Sequence, residues 1–232
     1  MNVVNRFAAI LGLALASVQA QAVDFSFTSG SAVSPALGNV YTATVSGLTI
    51  STTAWATTAA KSRFEAAALN LGSSGMGVCN AAEGAGCTGG TVSALDSSGA
   101  NDLILFRFSG AVSLQSLTML QSGGDSDLRM WAGTGTFSPS GLKINQLTGT
   151  ATTYSNTSNV NGSRTVSLAA YTGSYDWLAI SAFGKDRLAD YVKLQSLTAT
   201  PVAQPVPDAA SWMTMLAGLG LVAFRVSRRP GT

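Results

Sequence analysis

The sequence predicts an all-β protein, a jelly-roll-like β-sandwich with an N-terminal signal helix and a C-terminal transmembrane or sorting helix. Three observations carry this. Short runs rich in Val, Ile, Tyr, Phe and Thr alternate in period two, and Gly- and Ser-containing turns separate them. No long stretch of the body sustains a period of 3.6. The chain of 232 residues is 46% hydrophobic but only 10% charged, with 25 glycines, so its polar surface must be built largely from Ser, Thr and Gly. That apolar fraction with so little net charge is the opposite of a disordered composition.

The elements follow in order. Val23-Asp24-Phe25-Ser26-Phe27 alternates cleanly. Val40 to Val45 and Leu48 to Trp55 form a hairpin across Ser46-Gly47. Phe64 to Leu71 is ambiguous, since its alanines tolerate a helix. Asp102 to Phe108 sets Ile104, Phe106 and Phe108 on one face, and Leu103, Leu105 and Arg107 on the other. After Ser109-Gly110, Val112 to Leu120 reads as the next strand. Leu128 to Trp131, Thr148 to Tyr154, Arg164 to Leu168, Trp177 to Ala182 and Tyr191 to Thr200 complete a body of about eight to ten strands over residues 23–200. Several strands are apolar on both faces, as a two-sheet stack requires.

Charge divides the chain. Four of the 13 basic residues (Arg6, Arg225, Arg228 and Arg229) lie at its ends, and so does Asp208 among the 11 acidic ones. The body between them is nearly neutral, with no basic stripe to meet phosphates, so nucleic acid is not an expected partner. The absence of histidine excludes Ser-His-Asp and Cys-His catalysis and His-ligated metals. Internal repeats are absent, which argues against a solenoid with a flat threonine array.

Residues 1–22 carry the pattern of a secretory signal peptide. Arg6 precedes the apolar run Phe7 to Ala16, and Ser17-Val18-Gln19-Ala20-Gln21-Ala22 offers cleavage after Ala20 or Ala22. At the other end, Pro201 to Pro207 holds three prolines and reads as an extended linker. The uncharged run Ala209 to Phe224 would make a marginal membrane helix, and the Arg225, Arg228 and Arg229 cluster would stay on the cytoplasmic side. The expectation is an exported body outside the inner membrane, with this helix in the membrane and the arginines inside.

Two sets of residues suggest staples or ligands. Cys79 and Cys87 close a short Gly-rich loop, and in an exported chain this pair predicts a disulfide. Asp96, Asp102, Asp125 and Asp127 sit in Ser- and Gly-rich loops beside strands. Oxygen-rich loops of this kind suit Ca²⁺, which accepts irregular geometry, though none has EF-hand spacing and Asx-turn capping explains the same residues. Asp186 and Asp190, beside Lys185 and Arg187, read as a third acidic group paired with neighbouring cations. No other cofactor is expected.

The tail Val206-Pro207-Asp208-Ala209-Ala210-Ser211-Trp212, followed by the Gly-containing apolar run and the arginines, resembles the PEP-CTERM sorting signal of exported proteins from exopolysaccharide-producing Gram-negative bacteria. Pro207 matches the first Pro of that motif, Asp208 stands for its Glu, and Ala209 replaces its second Pro. The resemblance implies recognition, and cleavage near the motif, by an exosortase, a membrane-embedded cysteine protease or transpeptidase. The same class of tail occurs on proteins called ice-binding, a name that says nothing of the body. Gly72 to Asn80, Asp96 to Phe108 and Gly124 to Trp131 are similar to a body domain that recurs in exosortase-dependent surface proteins, which implies a surface role without a ligand.

Three functions are consistent with these readings. One is a non-enzymatic surface or exopolysaccharide-matrix protein of the kind found in biofilms. Another is a carbohydrate-binding module, calcium-assisted, in which Trp55, Trp131 or Trp177 stacks on a sugar of a polysaccharide. The third is a two-carboxylate glycoside hydrolase, which needs an acidic pair in a cleft, with only Glu65 and Glu83 available besides Asp. The first is the expectation, and it makes the protein not an enzyme.

Overall fold

A long antiparallel ladder organises the molecule. The computed structural model describes residues 20–28, 36–57, 62–83, 93–156, 158, 160–183 and 189–202. These contain thirteen strands: β1 (Val23–Ser26), β2 (Val40–Val45), β3 (Leu48–Thr57), β4 (Phe64–Ala66), β5 (Ala68–Gly72), β6 (Gly75–Cys79), β7 (Leu95–Asp96), β8 (Asp102–Gly124), β9 (Leu128–Gly133), β10 (Thr150–Tyr154), β11 (Gly162–Ser167), β12 (Tyr175–Ala182) and β13 (Asp190–Pro201). Single 3-10 turns lie at Ala81–Glu83 and Ile144–Gln146. No helix there is long and apolar enough to cross a membrane. The signal segment up to residue 19, most of the proline linker and the whole sorting tail lie outside the described residues.

The first hairpin forms as its turn chemistry dictates. Ser46 and Gly47 both take positive φ, 50° and 80°, the type I′ geometry that matches strand twist. Val45 is therefore paired directly with Leu48.

One expectation changes, and one open segment is settled. Ser109-Gly110 is no turn: β8 runs unbroken for 23 residues from Asp102 to Gly124. Gly110 is not among the positive-φ glycines, so the chain stays extended and only its neighbours change. Leu103–Phe108 lies between β3 and β12, whereas Val112–Gly124 pairs with β13 and, from Ser116 to Gln121, also with β11. The ambiguous segment Phe64 to Leu71 is extended rather than helical. It splits at Ala67 into β4, on the edge of β3, and β5, which pairs with β6. Strands β6 and β7 were not expected. Gly77 explains the first, because a Cβ there would sit 1.8 Å from the Ser93 carbonyl oxygen. Only glycine lets β6 approach that backbone, so no alternating apolar pattern marks the strand.

Strand β13 binds the ends of the fold together. It pairs with β8 along one side, and on the other it takes β7, β6 and β1 in turn. Val23 faces Ala199, so the first and last strands of the body are neighbours.

The predicted faces of β8 both pack, into different clusters. Ile104, Phe106 and Phe108 join Phe25, Phe27, Ile50, Met119, Leu194 and Leu197 in the main core, where Phe27 stacks on Phe106 at 5.5 Å. Leu103 and Leu105 join Phe64, Trp131, Trp177 and Phe137 in a second one. The segment between β9 and β10 covers this second cluster: Phe137 stacks on Trp177 at 4.1 Å, and Arg107 donates to the Phe137 carbonyl. Among the described residues, every buried hydrophobic side chain lies between Val23 and Ala199.

Candidate functional site

The acidic residues converge where β8 ends and β13 begins. Gly124 closes β8 at φ 54°, and a Cβ on it would meet the Ala189 carbonyl oxygen at 2.0 Å. This close approach lets the Asp125 N–H donate to Ala189 O and the Tyr191 N–H donate to Asp125 O, both at 3.2 Å. Asp125 and Asp190 thereby form an isolated parallel bridge within an otherwise antiparallel ladder.

Asp125, Asp127 and Asp190 bring one carboxylate oxygen each to within 4.8 Å of one another, and all three are buried. Local donors hold each in place. The Asp127 N–H donates to Asp190 Oδ1 at 2.8 Å, and Ser97 Oγ donates to Asp190 Oδ2 at 3.2 Å. The Ser126 N–H donates to Asp125 Oδ1, and the Asn156 N–H to Asp127 Oδ1, both at 2.7 Å. Behind them the buried amide of Gln121 is a hub. Its Oε1 accepts from Ser126 Oγ, Asn156 Nδ2 and Arg164 Nε, and its Nε2 donates to the carbonyls of Gly124 and Ser158. Burial, reinforced by the Asp127 and Asp125 charges, pushes the Asp190 carboxyl up to about 6. Three oxygen donors this close form the kind of partial shell that a hard divalent cation completes with backbone carbonyls and water.

Asp96 and Asp102 form a second acidic pair next to the first. Asp96 lies in β7 opposite Tyr191 of β13, and its neighbour Ser97 reaches Asp190. The Asp96 N–H donates to Asp102 Oδ2 at 3.3 Å, Asn80 Nδ2 donates to Asp102 Oδ1 at 3.4 Å, and the Ser98 N–H donates to Asp96 Oδ1 at 2.8 Å. Burial first, then the Asp96 and Glu83 charges, hold Asp102 well above the ordinary carboxylate range. The structure thus sets Asp125 and Asp127 beside Asp190, and gives Asp96 and Asp102 to this adjoining pair. Asp190 was assigned by sequence to the Lys185–Arg187 group. Its only signal was a position heading a strand, and cross-strand register is invisible in the chain order.

Asp102 gives the pH dependence its sign. Its pKa is higher folded than unfolded, near 3.9, so its contribution to stability is complete below the unfolded value and is lost as pH rises through the folded one. In chelator, the melting temperature of the body is expected to rise as pH falls from neutrality towards about 4. Asp102→Asn should flatten that slope, as thermal melts across pH would record. An unchanged slope would remove Asp102 as its source.

The tryptophans divide. Trp131 and Trp177 are 1% and 3% exposed inside the second cluster, so neither can present a ring to a sugar. Trp55 is half-buried, its indole N–H donating to Thr53 Oγ1 at 3.0 Å. Cys79 is buried at the end of β6, whereas Cys87 lies outside the described residues. Glu65 is exposed on β4, and the carboxylates that do gather are buried.

Fold and cluster together define an all-β, antiparallel body with a buried acidic pole. No family model matches the chain, and no curated protein matches it in sequence.

Proposed function

We propose that this chain is a non-enzymatic exported protein of the cell surface or exopolysaccharide matrix, sorted by an exosortase through its C-terminal tail. The carrying observation is the order of segments: a signal-type leader, a β body, then Val206, Pro207, Asp208, Ala209 and Trp212, an apolar run, and Arg225, Arg228 and Arg229. The geometry of the body supports it. Ala20, Gln21 and Ala22 are exposed directly before β1, so cleavage after either alanine spares the ladder to β13. Since Val23 faces Ala199, leader and tail leave from one end of β13, and the acidic pole sits at the other, roughly 30 Å away at ~3.3 Å per residue. A membrane-held body of this shape carries that pole outward. The shift of β8 from β3 and β12 to β11 and β13, with one core fed by both halves, supports a jelly-roll-like sandwich. A Cys79–Cys87 disulfide would pin its Gly-rich loop.

Replacing Arg225, Arg228 and Arg229 together by Ala is expected to abolish retention at the inner membrane and processing of the tail. Fractionation and the size of the exported product would measure this. Unchanged retention and processing would sink the sorting reading.

The trio Asp125, Asp127 and Asp190 favours a second reading, a calcium-assisted carbohydrate-binding module with Trp55 as its one half-open indole among the described residues. A glycan array on the body with and without calcium separates the two, since only the module binds sugar in a calcium-dependent way.

A further inference from the structure

Strand β2 (Val40–Val45) is a sheet edge: it pairs with β3, and among the described residues no strand occupies its other side. Exposed edges are usually guarded by a charge, a proline, a bulge or a covering segment. Val40-Tyr41-Thr42-Ala43-Thr44-Val45 has no charge and no proline, and its register with β3 is unshifted over all six pairs. It is also where apolar surface collects. Of the five exposed large hydrophobic residues described, Leu37 (63% exposed), Val40 (53%) and Val45 lie on this strand or its approach. The other edge of the same run of strands, β10, exposes none of them, and the β11 edge carries Arg164.

We propose that β2 is a self-association edge, pairing antiparallel with β2 of a second copy of this chain about a two-fold axis through Ala43. The sequence of the strand selects both partner and register. An axis perpendicular to the sheet requires side chains on the same face to oppose one another, so it must pass through a residue. Centred on Ala43, the pairing uses Tyr41 to Val45 in full. Thr42 then faces the partner's Thr44 on the outer side, and Tyr41 faces the partner's Val45 on the inner side. Thr–Thr and aromatic–β-branched pairs are among the favourable cross-strand combinations. A shift to Thr42 or Thr44 loses the Tyr–Val pair. Val45, now facing water, would be covered by Tyr41 of the neighbouring copy. Such a contact is small, so the dimer is weak in dilute solution and populated where copies are crowded. The inference does not depend on the sorting tail.

Sedimentation equilibrium of the body, residues 23–202, is expected to show a monomer–dimer equilibrium. Thr42→Lys with Thr44→Lys sets like charges opposite one another and should weaken the dimer about 10-fold or more. Both positions are exposed, so the melting temperature should not move. Mixing that variant with Thr42→Glu/Thr44→Glu should restore a heterodimer. In the exported full chain, Ala43→Cys should form a symmetric intermolecular disulfide, because opposed Cα atoms lie about 4.5–5.5 Å apart, within disulfide reach. Thr42→Cys should not. A body monomeric at every attainable concentration overturns the proposal, and so does a dimer indifferent to the lysines. Open-ended oligomers broken by lysines on β10 would also overturn it, since they mark head-to-tail pairing of β2 with β10.

Discussion

Calcium at about a hundred times its dissociation constant is expected to raise the melting temperature of the body by roughly 5–10 °C, and Asp127→Asn to remove the rise. Ligand at that excess adds about 2.7 kcal/mol to a folded state that alone binds it, and for a body of this size each kcal/mol is worth about 2–4 °C. Asp127 is the informative member of the trio. An asparagine there still accepts the Asn156 N–H through its carbonyl oxygen, so the loop keeps its bond and loses only a charge. The effect should be confined to the calcium-loaded protein, with melts in chelator nearly superimposable. Replacing Asp190 would be less clean, because both of its carboxylate oxygens accept bonds, from the Asp127 N–H and from Ser97 Oγ. No shift in the unmodified body, or an equal shift in Asp127→Asn, would mean that the trio is a hydrogen-bonded corner and not a cation site.

Trp177→Ala is expected to cost about 3–5 kcal/mol, a fall in melting temperature on the order of 10 °C. Phe137 stacks on the Trp177 ring, and two glycines are shaped around it. A Cβ on Gly133 would come within 2.4 Å of its Cζ2, and one on Gly149 within 2.8 Å of its Cη2. Removing the indole opens a cavity that this backbone cannot collapse to fill. The same substitution tests the sugar-platform role considered for this residue. An exposed platform could be truncated with almost no change in melting temperature, so a small effect would contradict the burial of Trp177. Trp55→Ala, at a half-buried ring, should cost less than half as much.

Legibility of the fold followed the range of the interactions concerned. The β2–β3 hairpin was readable because its turn residues and flanking alternation are contiguous. The two faces of β8 were readable for the same reason. Its continuity was not, since Ser-Gly marks a turn only when the following strand folds back on the preceding one. Here different partners on each half keep it extended. Strand β6 escaped because close approach to Ser93 demands glycine, which erases the alternating signal. The acidic site was half legible. Asp125 and Asp127 are neighbours in the chain, but Asp190 reaches them only because β13 pairs back along β8.

By itself the sequence determined the all-β class and the near-neutral body without histidine chemistry, and its two ends carry the residue patterns on which the sorting proposal rests. Each rests on local residue order or composition. The tertiary structure alone decided which carboxylates meet, that Trp131 and Trp177 are interior, and that β1 and β13 bring both ends of the body together. Those are consequences of strand pairing between residues far apart in the chain, and pairing register is set by the whole sheet.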